Sequence, residues 1–150
     1  YIALEKLAVL RERLLELIDE DARAFEPLAA AYRMPKETPQ DRVAKNDALQ
    51  AALIGACDVP LEIMQRVADV VEQAAFLAYN GSRMALSDVG VAVAFARAAS
   101  DGASLNIFIN AKSMDDETKA NWYRDEAAIL ATNTRAQCDE LFAYVAEQIS

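Results

Sequence analysis

Apolar positions recur along the first part of the chain at the spacing of a helix. Between Ile2 and Arg33 they fall at Leu4, Leu7, Leu14, Ile18, Phe25, Leu28 and Tyr32, which places them on one face. The segment Met34-Pro35-Lys36 ends this helix, because a residue before proline is pushed out of helical conformation. Thr38, Pro39 and Asp41 then supply an N-cap, a first-turn proline and a capping carboxylate. The second helix is expected to reach Cys57 and to break at Asp58-Val59-Pro60. A third then carries Leu61, Met64, Ala68, Val71 and Ala75 on one side. Asn80-Gly81 supplies a left-handed C-cap.

Ser87-Asp88 is expected to open the next helix as a cap, and Val89–Ala96 is apolar nearly all round. A helix with no polar face belongs in a centre or at a subunit interface. Asp101-Gly102 is a candidate kink. Leu105 to Ile109 is β-branched enough for a short strand, but nothing else offers it a partner, so helix is preferred. From Asp116 to Ile149 a last helix begins on acidic residues and carries Leu130, Leu141, Phe142, Val145 and Ile149. The prediction is one all-α domain over residues 1–150, an up-and-down bundle of long helices.

Composition narrows the chemistry. Of 150 residues, 54% are hydrophobic, enough for a core without metal or disulfide support. The net charge of −9 argues against a broad nucleic-acid-binding face and against an acidic membrane surface. No apolar run is long enough to cross a bilayer, and the N-terminus lacks a signal-peptide pattern. Cys57 and Cys138 have no CxxC spacing and read as core thiols in a reducing cytoplasm. The count of His is 0, which removes Ser-His-Asp and Cys-His nucleophiles and the common His-containing zinc sites. Acid–base work must fall to a carboxylate, Lys, Tyr or Cys.

Polar residues inside apolar faces are the candidates. Asp21 lies three residues after Ile18 and four before Phe25, within the stripe itself. Burial there raises a carboxyl pKa toward what a general acid needs, while a structural ion pair or an edge position is the plainer reading. Asn106 and Asn110 share a helix face; they suit a planar polar ligand or an interhelical hydrogen bond that sets register. Ser87 and Asp88 read first as a cap, and Lys36 as a solvated lysine at a turn.

Taken in order, these segments resemble a known family. Asp19-Glu20-Asp21-Ala22-Arg23-Ala24-Phe25 with Arg33-Met34-Pro35-Lys36-Glu37-Thr38-Pro39 resembles the paired-aspartate and L-P-K-x-T motifs of formimidoyltetrahydrofolate cyclodeaminases. Val59-Pro60-Leu61, Asn80-Gly81, Ser87-Asp88-Val89-Gly90-Val91-Ala92 and Asn106-Ile107-Phe108-Ile109-Asn110 are similar to further motifs of that family, in the same order over almost the whole chain. The resemblance implies a homodimeric all-α enzyme using no metal and no cofactor beyond its tetrahydrofolate substrate. It implies one of two reactions. One is a lyase-type cyclisation of 5-formimidoyltetrahydrofolate to 5,10-methenyltetrahydrofolate with loss of ammonia. The other is hydrolysis of 5,10-methenyltetrahydrofolate to 10-formyltetrahydrofolate, and the Asn106 to Asp116 stretch looks especially like the stand-alone cyclohydrolases.

The family's catalytic aspartate falls on Asp21, with Lys36, Asp88, Asn106 and Asn110 expected to position the folate. Two departures stand out: Asn80-Gly81 inverts the family's Gly-Asn order, and the family's N-terminal Gly-rich segment, with a further helix and a lysine-rich stretch, is absent. The site is therefore expected to be incomplete. The competing readings are a non-catalytic dimerisation or folate-binding module that kept the fold, and an unrelated bundle that binds a partner helix.

Overall fold

The computed structural model describes residues 2–150. Four long helices account for nearly all of them: α1 (Ile2–Arg33), α2 (Pro39–Asn80), α3 (Leu86–Ala111) and α4 (Glu117–Ile149). A single turn of 3-10 helix at Arg83–Ala85 precedes α3, and the described residues contain no strand. Successive helices are joined by short turns and pack against one another, as in an up-and-down bundle. The longest helix, α2, is the axis of the molecule: α1, α3 and α4 each pack against it.

The expected start of α2 is present in atomic detail. Thr38 Oγ1 accepts from the Asp41 backbone N–H at 3.0 Å, and the Asp41 carboxylate accepts from the Thr38 N–H at 3.0 Å. This capping box satisfies donors that a helix start would otherwise leave unpaired. Asp116 caps α4 in the same manner, accepting from the Lys119 N–H at 3.0 Å. The interior forms two adjoining clusters along α2. Leu28, Leu53, Cys57, Leu61, Met64, Ile107 and Tyr123 fill one, and Val67, Val71, Val89, Val93, Cys138, Leu141 and Val145 fill the other. Many remaining core positions are alanine, which lets the helix axes approach closely. Gly90 extends this, because a Cβ there would meet Val145 Cγ1 at 3.0 Å.

Several expectations need correction. Asp58-Val59-Pro60 does not divide the chain; α2 runs unbroken through Pro60. Nor does Asp101-Gly102 interrupt α3; Leu105 to Ile109 is helical, as preferred. Gly81 is extended, with φ −86° and ψ −174°, rather than left-handed. Glycine is needed there for a different reason: a Cβ would lie 2.4 Å from the Leu77 carbonyl oxygen. Ser87-Asp88 is not a cap. Ser82 caps the short turn, and Asp88 lies exposed in the first turn of α3.

The buried face of α1 is also rotated from the expected one. Leu17, Leu28 and Ala31 are buried, whereas Ile18 and Phe25 are 63% and 58% exposed. Along α3 the apolar surround is not enclosed within the chain, since Val91 and Phe95 are 55% and 73% exposed. On α4, Leu141 and Val145 are buried while Phe142 and Ile149 face outward. Among the described residues no helix is long and apolar enough to cross a membrane.

Candidate active site

Asp21, Asn106 and Asn110, far apart in sequence, line one cleft of about 330 Å³. Its walls are Asp21, Ala22 and Phe25 from α1 and Asn106, Ile109 and Asn110 from α3, and its floor is Ala56 and Pro60 of α2. The cleft exists because α1 and α3 both pack on α2 without packing on each other. The four-residue spacing of the two asparagines brings both amides to the same wall, as one helical turn requires.

Asn110 answers a problem created by Pro60. Proline has no N–H, so it cannot bond to the carbonyl four residues earlier, and its ring pushes that carbonyl aside. The carbonyl concerned belongs to Ala56. Asn110 Nδ2 donates to it at 2.9 Å, replacing the missing backbone donor from the neighbouring helix. This contact explains why α2 continues where a break was expected. Asn110 therefore makes the interhelical hydrogen bond that its sequence position allowed, and it also lines the cleft.

Asp21 is half-buried at the rim, between the buried and exposed stripes of α1. It takes part in no ion pair among the described residues. The residue before it is the paired one. Arg13 Nη1 and Nη2 donate to the two Glu20 carboxylate oxygens at 2.7 and 3.0 Å, while Nε and Nη2 hold Glu62 of α2 at 2.8 and 2.9 Å. Hydrogen bonds from Arg13 hold both glutamates below the usual carboxylate range. Arg13 is thus committed to structure, and it does not reach the cleft carboxylate.

The other two predicted positions lie elsewhere. Lys36 is exposed in the turn after α1 and does not line the cleft. It follows a helix end twelve residues beyond Asp21, roughly 18 Å along the axis. Asp88 also lies outside it, eighteen residues before Asn106 on α3, roughly 27 Å along that helix. Sequence reasoning missed Pro60 and Ala56 as the floor, and Phe25 and Ile109 as its apolar walls. The cue was available in part, since Phe25 and Ile109 flank the motif residues. Among the described residues no cluster of His, Cys, Asp or Glu is arranged to hold a metal ion.

The remaining titratable interior groups serve packing. Burial, reinforced by the nearby Asp58 charge, pushes the Cys57 thiol up to about 12, and burial also raises Cys138. Tyr123 donates its hydroxyl to Asp58, and burial and this bond raise its pKa. On the same side of the bundle, Gln50 and Asn46 of α2 hold the turn after α3 through Ser113 and Asp115, fixing the end of the helix that carries the asparagines.

Comparison with known proteins shows the family of the chain. Residues 2–129 match the family described as formiminotransferase-cyclodeaminase. The chain is 33% identical to a methenyltetrahydrofolate cyclohydrolase of Methylorubrum extorquens over 147 residues, covering 98% of this chain and 71% of that protein. It is 34% identical over 125 residues to the formimidoyltransferase-cyclodeaminases of Rattus norvegicus and Sus scrofa, covering 83% of this chain and 23% of each. The chain therefore spans less than a quarter of those animal proteins.

Proposed function

The chain belongs to the formiminotransferase-cyclodeaminase family, and we propose that it is a folate one-carbon enzyme whose proton carrier is Asp21. The observation that carries this reading is the convergence of Asp21 with Asn106 and Asn110, from separate motifs and helices, on one cleft. An unpaired carboxylate can take a proton or give one, whereas a carboxylate fixed by arginine is held ionised.

The reaction favoured is hydrolysis of 5,10-methenyltetrahydrofolate, because the match to a cyclohydrolase runs over 98% of this chain, against 83% for the animal proteins. Water adds to the methenyl carbon as Asp21 removes its proton. The bond from that carbon to N5 then breaks as the new hydroxyl releases its proton to solvent and becomes the carbonyl, Asp21 returns its proton to N5, and the carbon stays on N10 as a formyl group. The same carboxylate could serve the cyclodeaminase reaction. There N10 attacks the formimidoyl carbon, the tetrahedral centre collapses, and the departing nitrogen is protonated and leaves as ammonia. Asn106 and Asn110 would hold the pterin ring by hydrogen bonds, with Phe25 and Ile109 against its faces.

In this reading Lys36 meets the anionic glutamate tail beyond the cleft, and Asp88 has no part in the cleft. No cofactor beyond the folate is invoked. The reading includes a homodimer, supported by the exposed apolar residues Val91, Phe95 and Leu105 of α3. It also includes a cytoplasmic home, supported by two free, buried thiols.

The test follows the near-ultraviolet band of methenyltetrahydrofolate. Accelerated loss of the band in the presence of protein is the expected result. Its appearance from 5-formimidoyltetrahydrofolate would assign the cyclodeaminase instead. Silence in both, with folded protein, would leave a non-catalytic module.

A further inference from the structure

We propose that Pro60 is a positioning residue for substrate recognition, acting through Asn110. The inference rests on the folate reading and adds a specificity element to it. Asparagine carries two donors on nitrogen and one acceptor oxygen, and which end faces a ligand is usually set by whatever partner is nearby. Here the partner is the Ala56 carbonyl, released by Pro60. An oxygen cannot occupy that place, because it would face another oxygen. The amide nitrogen is therefore fixed toward α2, and Asn110 Oδ1 is left as an acceptor on the cleft wall.

An acceptor locked in this orientation selects ligands that present N–H groups, as a pterin ring does at N3 and its 2-amino group. It disfavours rings that present an acceptor at the same place, since the amide cannot flip without leaving a buried carbonyl unpaired. The proline at the floor of the cleft thus converts an ambivalent amide into a directional one. Alanine at position 60 would restore the backbone donor to Ala56, and Asn110 would be free to turn.

Two single substitutions, Pro60→Ala and Asn110→Ala, and their combination test this in thermal melting and in titration with 5-formyltetrahydrofolate. Asn110→Ala should lower the melting temperature when Pro60 is present, and by less when position 60 is alanine and the carbonyl is satisfied within α2. Pro60→Ala should weaken binding roughly five- to tenfold, the worth of one neutral hydrogen bond. The double variant should bind no worse than Asn110→Ala alone. Unchanged affinity in Pro60→Ala, or penalties that simply add, would overturn the proposal.

If wild-type protein binds no 5-formyltetrahydrofolate, the folate reading fails instead, while the melting comparison still tests the hydrogen bond. Should Pro60→Ala not fold, the Asn110 side-chain amide protons in wild-type protein provide the second measurement. They should remain protected from solvent exchange when 5-formyltetrahydrofolate is added. Loss of that protection on binding would show that the amide turns, and would reject the assignment.

Discussion

Glu20 and Asp21 are neighbours on α1, yet one lies in an ion network and the other in a cleft. Arg13 grips Glu20 and Glu62 together, joining α1 to α2 through forked hydrogen bonds. Asp21, about 100° further round the helix, faces the space between α1 and α3 and meets no cation among the described residues. The two acids carry the same charge, and their difference comes from where the helix points them. A carboxylate surrounded by arginine donors contributes to docking and is poorly placed to exchange protons. One that lines a cleft without an ion pair is free to meet a ligand there.

The largest effect should come from removing the cleft acid. Asp21→Asn keeps the shape and removes the titratable group, and turnover should fall by roughly 10²- to 10⁴-fold, the usual contribution of a general acid–base group. Its melting temperature should stay near that of wild type, because no ion pair is lost. Full activity in a folded Asp21→Asn protein would defeat the assignment.

A smaller and opposite result is expected for Arg13→Ala. That variant should melt at lower temperature, while activity per folded molecule is largely kept. Its pH dependence sharpens the point. Glu20 and Glu62 have folded values below their unfolded ones, so folding favours their charged forms. Their contribution is present above the ordinary glutamate range and is lost as pH falls through the folded values. Acid titration of stability should therefore be shallower in Arg13→Ala than in wild type; equal slopes would detach the network from acid stability.

The smallest effect belongs to the buried thiol. Cys57, raised to about 12, favours the folded state below the ordinary thiol value, and this advantage is lost as pH rises from there toward the folded value. Native Cys57 should react slowly with alkylating reagents at pH 8, and rapidly once the protein is unfolded. Fast modification in the native state would contradict its burial.

Much of the fold was legible because local chemistry decides it. Thr38, Pro39 and Asp41 act within one turn, and the capping box they imply is present. The break expected at Pro60 failed because the compensating donor comes from Asn110, fifty residues later and on another helix. Local rules describe what proline removes, and only packing shows what is put back. The face of α1 was misjudged for a related reason. Leu14, Leu17 and Leu28 form one apolar stripe and Ile18, Phe25 and Tyr32 another, and periodicity cannot rank two stripes on one helix. At the site, Asp21, Asn106 and Asn110 stood out as polar groups within apolar faces. Lys36 and Asp88 were drawn in by motif order alone, and their distances along α1 and α3 separate them from the cleft.

The attachment of α1 carries a final consequence. Among the helices it packs on α2 alone, yet it brings the acid, while α3 brings the amides. A molecule lying in the cleft would span two elements that the polypeptide itself does not join, acting as a removable crosslink. Local opening of α1 and release of that molecule would then be thermodynamically linked, so occupancy should slow hydrogen exchange along α1 more than along α4. The stability of the helix that supplies the acid would thus respond to the concentration of its own substrate.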